Sequence, residues 1–465
     1  MARARFHAWT AVALGMACTG AAFGQADVIV GDLTGTTHPG GIGPERWGTV
    51  DGITGYSIGT TSCNVGDVPL NWFGFNANHP VIAQHMHRIM NGRIEQIGQS
   101  WVKHGICALQ ESLCEVCQPE GNGCENRLGV GCSDPYSAQL NGDQARMGPA
   151  SQVDASTGFF NWPYGGAGQT GNAIYKRIQV DMNDLDPEQN EGAVYVAEGS
   201  YVAKDDAAAG NGYNNASYRL FEVGNLTEGG YELDWVGATH REEPALVAWQ
   251  SHGLGVNTPD PDVYLEVVDV EDDGRFWIGY KASDNQDGTW HYEFAIENIN
   301  SHRSGGSFIV PVPAGVTVTN IDFHDIDYHS GEPFDPTDWV SERTVDSVVW
   351  SSPETYDENM NSNALRWGTL YNFSFDADTA PDDAMAEIGL FRPGKAPSPM
   401  VPVQAPSAGA VCAADFNGDG ELSILDFVAL QNAFSAGDPS ADINGDGTLN
   451  ILDFVTYQQL FVKGC

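Results

Sequence analysis

The stretch Trp290–Ile296, WHYEFAI, alternates between large apolar and polar side chains. Successive side chains of a strand point to opposite faces, so Trp290, Tyr292, Phe294 and Ile296 share one side while His291 and Glu293 take the other. The neighbouring runs read the same way. They are DVYLEVVDV from Asp262, RFWIGYKA from Arg275, SFIVPVP from Ser307, VTVTNIDFHDIDY from Val316, SVVWSS from Ser347 and LYNFSF from Leu370. Gly, Asp, Asn and Pro separate them. Short strands with turns at this spacing predict an antiparallel β-sandwich over 256–392.

Residues 25–255 read as a second β-rich domain. They are rich in Gly, Asn and Thr and show short alternating runs. In HRIMNGRIEQIG, from His87, the pair Asn91-Gly92 sits between two such runs and predicts a tight hairpin. The one candidate for a long helix in this half is around Glu242–His252. Arg3 and Arg5 precede the apolar run AWTAVALGMACTGAAFG. This run is too short for a membrane span and reads as a secretory signal over 1–24. No later stretch reaches the ~20 apolar residues of a spanning helix. Eight cysteines follow the leader, and six of them fall between Cys63 and Cys132. In an exported chain this even count predicts disulfides and a stapled loop over 107–132, the pairing being open. Cys114-x-x-Cys117 resembles half a zinc knuckle, but export favours disulfides. Five prolines between Pro393 and Pro406 predict a semi-rigid linker over 393–410.

The formal net charge is −41, and loss of Arg3 and Arg5 with the leader makes the remainder more acidic. Such a chain is repelled by nucleic acid and by anionic lipid.

The tail, 411–465, carries a 12-residue motif twice, 27 residues apart: DFNGDGELSILD from Asp415 and DINGDGTLNILD from Asp442. Calcium takes six to eight oxygens, which a sharp turn must bring together. Asp415, Asn417, Asp419, Glu421, Ser423 and Asp426 supply them in the first loop. Asp442, Asn444, Asp446, Thr448, Asn450 and Asp453 do so in the second. Gly420 and Gly447 allow the turn. The last ligand is Asp, so its helix must approach the ion closely.

Each loop leads into an apolar helix, ILDFVALQNAF and ILDFVTYQQLF. The tail thereby resembles a dockerin, in the variety ending in Gly-Cys that is common in planctomycete exported proteins. The resemblance implies two calcium ions, a cohesin-like partner bound through Ile424, Leu425, Ile451 and Leu452, and an extracellular or cell-surface location. Cys412 and Cys465 bracket the tail and are expected to pair.

In the body, His79, His85, His87 and His104 are candidates for a zinc or copper site, with His85 and His87 on one strand face. The alternative is a set of exposed strand histidines. Asp325, Asp327 and His329 fall at period two and read as a cation or acid–base site, or as a polar sandwich edge. The turn from Asp181 lacks the glycine of a calcium loop. GYSIG around Ser57 lacks the helix that a nucleophile elbow needs. GAGQTG, from Gly166, has no apolar strand before it and is not a dinucleotide site. The expectation is a mostly β, calcium-binding modular protein with a non-catalytic structural or binding body. The alternative is a secreted, glycan-active hydrolase, with polysaccharide as its partner.

Overall fold

The computed structural model describes residues 24–34, 43–407, 414–417, 422–444 and 447–463. The expected leader, apart from Gly24, lies outside them. So do Cys412 and Cys465 and the loop residues Asp419, Glu421 and Asp446.

The body is built from antiparallel sheets. In the first half, a seven-stranded sheet has Val81–Met90 and Val194–Val202 at its centre, and Ala216–Thr227 and Gly230–His240 extend it. Two three-stranded sheets cover one face: Val28–Asp32 with Thr60–Asn64 and Ser133–Tyr136, and Glu45–Val50 with Ile53–Ser57 and Ile178–Asp181. The core between them holds Val28, Val30, Tyr56, Ile82, Met86, Ile178, Ala197 and Tyr201. The hairpin at Asn91-Gly92 is present, and both residues adopt positive φ, 55° and 79°. A two-residue turn of that twist needs this conformation, and Asn-Gly adopts it at low cost.

The second half is a sandwich of two five-stranded sheets. Tyr264–Asp269, Arg275–Asp284, Trp290–Asn298, Thr369–Ala377 and Val318–His324 form one, in that order. Val340–Arg343, Ser347–Ser351, Gly305–Pro311, Pro381–Leu390 and Met400–Pro406 form the other. Tyr292, Phe294 and Ile296 point into the core against Phe308, Trp350, Phe373 and Phe375, as the alternation requires.

The expected linker over 393–410 is corrected in part. Met400–Pro406 is a strand paired with Pro381–Glu387, and Val401, Val403 and Ala405 are core residues. It lies at the sheet edge, where a proline without an N–H removes no ladder bond. Pro402 and Pro406 therefore mark an edge strand, not a spacer.

The first half's large sheet is buried on both faces. Its second face, through Ile89, Val194, Val196, Tyr218 and Leu220, meets Ala295 and Leu370 of the sandwich. The short helix Val247–His252 wedges between them with Trp249, which is fully buried and donates from Nε1 to Gly92 O at 3.1 Å. Hydrogen bonds cross the same seam from Gln96 to Gly368 O and from Asn372 to Ile94 O.

Three disulfides staple the loop over the first half: Cys63–Cys114, Cys107–Cys124 and Cys117–Cys132. Cys114 and Cys117 have different partners, so the pair is no zinc knuckle.

The tail has its own small core of Leu430, Tyr457, Phe434 and Phe454, among others, all from within the tail. Its helices are Ile424–Ala436 and Ile451–Lys463. No described helix is long and apolar enough to cross a membrane.

Candidate functional site

The two tail loops repeat one local geometry. Ser423 caps the first helix and accepts from Leu425 N, while Asp426 accepts from Ser423 N at 2.8 Å. This reciprocal box is what a Ser followed three residues later by an acid encodes. Asp426 Oδ1 also takes Asn417 N at 3.2 Å, so the last loop carboxylate ties down the third loop position. The second loop matches: Asp453 accepts from Asn450 N at 2.8 Å and Asn444 N at 3.3 Å. Gly447 has φ +80° and donates its N–H to Asp442 Oδ2 at 2.8 Å. A residue with Cβ would be strained there. The backbone N–H of Ser423 holds Asp426 below the usual carboxylate range, and that of Asn450 does the same for Asp453. Both carboxylates are thus ionised without help from a metal. An all-oxygen donor set anchored on an ionised carboxylate fits a hard divalent cation. Asp415, Asn417, Ser423 and Asp426 would hold it in loop one, with Asp442, Asn444, Thr448, Asn450 and Asp453 in loop two.

Just beyond each cap, the helices expose apolar residues. Ile424 is 73% exposed and Leu425 58%, and their equivalents Ile451 and Leu452 are 71% and 53% exposed. The inward faces already fill the small core, so these residues serve no packing within the tail.

Residues 413–461 match the dockerin type I domain family. No curated protein matches the chain. The dockerin module thus accounts for the tail, and the body has to be read from its own geometry.

There, the histidines are not exposed. His85 and His87 lie on a strand covered on both faces and are 4% and 1% exposed. Nor do the four converge: His79 Nε2 meets His104 Nδ1 at 3.0 Å, and His85 Nδ1 meets Glu198 Oε1 at 3.2 Å. Burial pulls His104 down to about 2 and His87 to about 3, so both are neutral. Among the described residues no group of three or more His, Cys, Asp or Glu is placed to hold a metal, and the zinc or copper expectation has no support.

The Asp325, Asp327, His329 trio is corrected in its strand placement. Its strand ends at His324, so period two does not extend to it. Asp325 accepts from Asn363, Asp327 O accepts from Gln99, and His329 Nε2 meets Gln99 O at 2.7 Å. Two of the three therefore bind the sandwich to the first half.

Other motifs are structural as well. Ser57 is buried and donates to Ala138 O. Asp181 caps a short turn through Asn183 N. The GAGQTG loop wraps a lysine: Lys176 Nζ donates to the carbonyls of Gln144, Met147, Gly166 and Gln169 at 2.7–3.1 Å. It also sits 5.0 Å from the Trp101 ring.

Sequence reasoning missed the buried acids. Glu198 and Glu297 come from facing sheets and hydrogen-bond each other. Glu198 also accepts from Ala245 N at 2.6 Å, and Glu297 from Leu246 N at 2.9 Å. A third acid, Asp134, is pushed up to about 8 by burial and lies near Lys103, which burial pulls down to about 7. Alternation in VYVAEGSYV shows that Glu198 shares a face with Val194 and Val196. It does not show that a second sheet covers that face.

An open groove of about 570 Å³ gathers Glu354, Asp357, Glu358 and Glu387 beside Tyr356. Two of these acids brace the groove's own loop. Glu358 accepts from Thr355 N and Oγ1, which hold it below the usual range, and Glu354 accepts from Asn359.

Proposed function

We propose that this is an exported protein fixed outside the cell by its dockerin module. The module takes two calcium ions and docks a cohesin-like partner through Ile424, Leu425, Ile451 and Leu452. The body is a non-catalytic structural or binding unit. The observation that carries this reading is the duplicated pairing of a buried, amide-anchored loop carboxylate with exposed apolar residues at the start of the next helix. The body supports it through its buried acids: Glu198 and Glu297 close a seam instead of lining a cleft. The test is capture from the producing cell's surface fraction with the full chain as bait, with and without a calcium chelator. A cohesin-like protein recovered only with calcium supports the reading. Recovery of nothing calcium-dependent overturns it.

A second reading, a secreted glycan-active hydrolase, is favoured by the acidic groove at Glu354, Asp357, Glu358 and Glu387. Such an enzyme needs two carboxyl groups ~5–10 Å apart, one of them with a raised pKa. Glu358 is shifted the other way. Polysaccharide cleavage that disappears in E387Q would decide for this reading.

A further inference from the structure

A narrow, partly open cavity lies between the first half and the sandwich. Trp101 contributes to its wall from one side, and Phe334, Glu332, Arg366, Trp367 and Arg392 from the other. It leaves about 30 Å³ for water-sized centres. One water needs ~10–15 Å³ on that measure, so the space holds about two or three small groups. That is far below the ~300–1,000 Å³ of sites that enclose drug-sized ligands.

The cavity's charge is unbalanced. Arg366 is only 4% exposed. Its Nη2 donates to Met360 O at 3.0 Å and Ser362 O at 2.9 Å. Its Nε and Nη1 are buried and meet no acceptor. Phe334 and Phe391 stack on the guanidinium at 4.2 and 4.6 Å, which leaves hydrogen bonding to its edges. Arg392 Nε is also buried without an acceptor. Among the described residues neither arginine takes part in an ion pair.

This is unexpected in a chain with a net charge of −41. A buried cation without a partner is costly, and so is each N–H without an acceptor. The one carboxyl in the wall, Glu332, is pushed up to about 7 by burial and is a weak counter-charge. Burial also lowers His302, and takes His329 to about 4, so neither of these two adds charge at neutral pH, and the third histidine of the wall, His85, is paired with Glu198. Arg366, at about 10, keeps its proton.

We propose that the cavity binds a small carboxylate, of formate or acetate size, as the counter-ion of Arg366 and Arg392. The flat rings of Trp101, Trp367 and Phe334 suit a planar group. The unpartnered N–H groups supply its hydrogen bonds, and guanidinium–carboxylate bonds are among the stronger charge-assisted ones.

The test uses the full chain. Thermal unfolding is followed in sodium acetate and in sodium chloride at equal ionic strength, for wild type, R366M, R392Q and E332Q. Saturating acetate is expected to raise the wild-type midpoint by ~5 °C over chloride. R366M and R392Q should lose that rise, and E332Q should keep it. Because R366M also strips the Met360 and Ser362 carbonyls, R392Q, at a half-buried position, decides if R366M fails to fold. An equal rise in chloride, no acetate-specific rise, or a rise undiminished in R392Q overturns the proposal. A rise that appears only in E332Q also overturns it, because Glu332 would then be the counter-ion.

Discussion

Glu198 of the first half and Glu297 of the sandwich face each other across the seam, each accepting a backbone N–H from the wedge segment, and their acidities are pushed in opposite directions. Burial and then the charge of Glu198 drive Glu297 well above the carboxylate range. Burial would raise Glu198 too, but the hydrogen bond and charge of His85, together with the hydrogen bond to Glu297, outweigh it and keep Glu198 ionised. Ala245 N and Leu246 N close the pair from the wedge segment. Two acids from different sheets, each bound to backbone of that segment, hold the two halves in register.

The seam gives a pH signature. Glu297 has a raised folded value, so its contribution is complete below 4.5 and is lost as pH rises. Glu198 has a lowered one, so its contribution is present above 4.5 and is lost as pH falls. E297Q supplies a neutral donor that cannot ionise. It should flatten the alkaline side of a stability-versus-pH curve measured by chemical denaturation. E198Q removes the ionised acceptor and should cost about 2–3 kcal/mol near neutral pH. A curve unchanged by E297Q would show that the pair carries no titrating proton.

Lys176 is held by four carbonyls, so Lys176→Met should cost about 3 kcal/mol or more by stranding them. Heat denaturation measures the loss. Within ~0.5 kcal/mol of wild type, the loop from Gln144 to Gln169 would not depend on the ammonium.

Reduction of the disulfides should destabilise the first half selectively. The Cys63–Cys114 bond alone, closing a span of 51 residues, should contribute on the order of 4 kcal/mol in the chain-entropy model. Denaturation in dithiothreitol, with C63A/C114A for comparison, checks this.

Ile424→Asp with Ile451→Asp should abolish partner capture and leave calcium affinity and helix content intact, since both side chains lie in solvent. Calorimetry with calcium and circular dichroism separate the two effects. A loss of calcium affinity would mean that these residues support the loops.

The sequence carries these features unevenly. Trp290–Ile296 could be placed because its alternation is strict and one face is apolar. The Asn91-Gly92 hairpin and the calcium loops were legible because fixed residues at fixed offsets encode the turn. Met400–Pro406 was not, because its prolines imitate a linker unless its edge position is known. The alternative of exposed strand histidines at His85 and His87 failed because alternation describes one sheet and says nothing of a second sheet laid over it. The unbalanced Arg366 and the acid pair depend on residues far apart in the chain, which no local pattern records. The disulfide pairing, one of fifteen, is fixed by the fold alone.

Calcium-dependent attachment through the tail is tested most directly in cells. Wild type and D426A/D453A are expressed in the producing organism, and the protein on the cell surface is compared with that in the medium, before and after EDTA. Wild type should stay on the surface until EDTA releases it, and D426A/D453A should be exported into the medium. Equal surface retention of the variant, or wild-type retention that EDTA does not disturb, would contradict it.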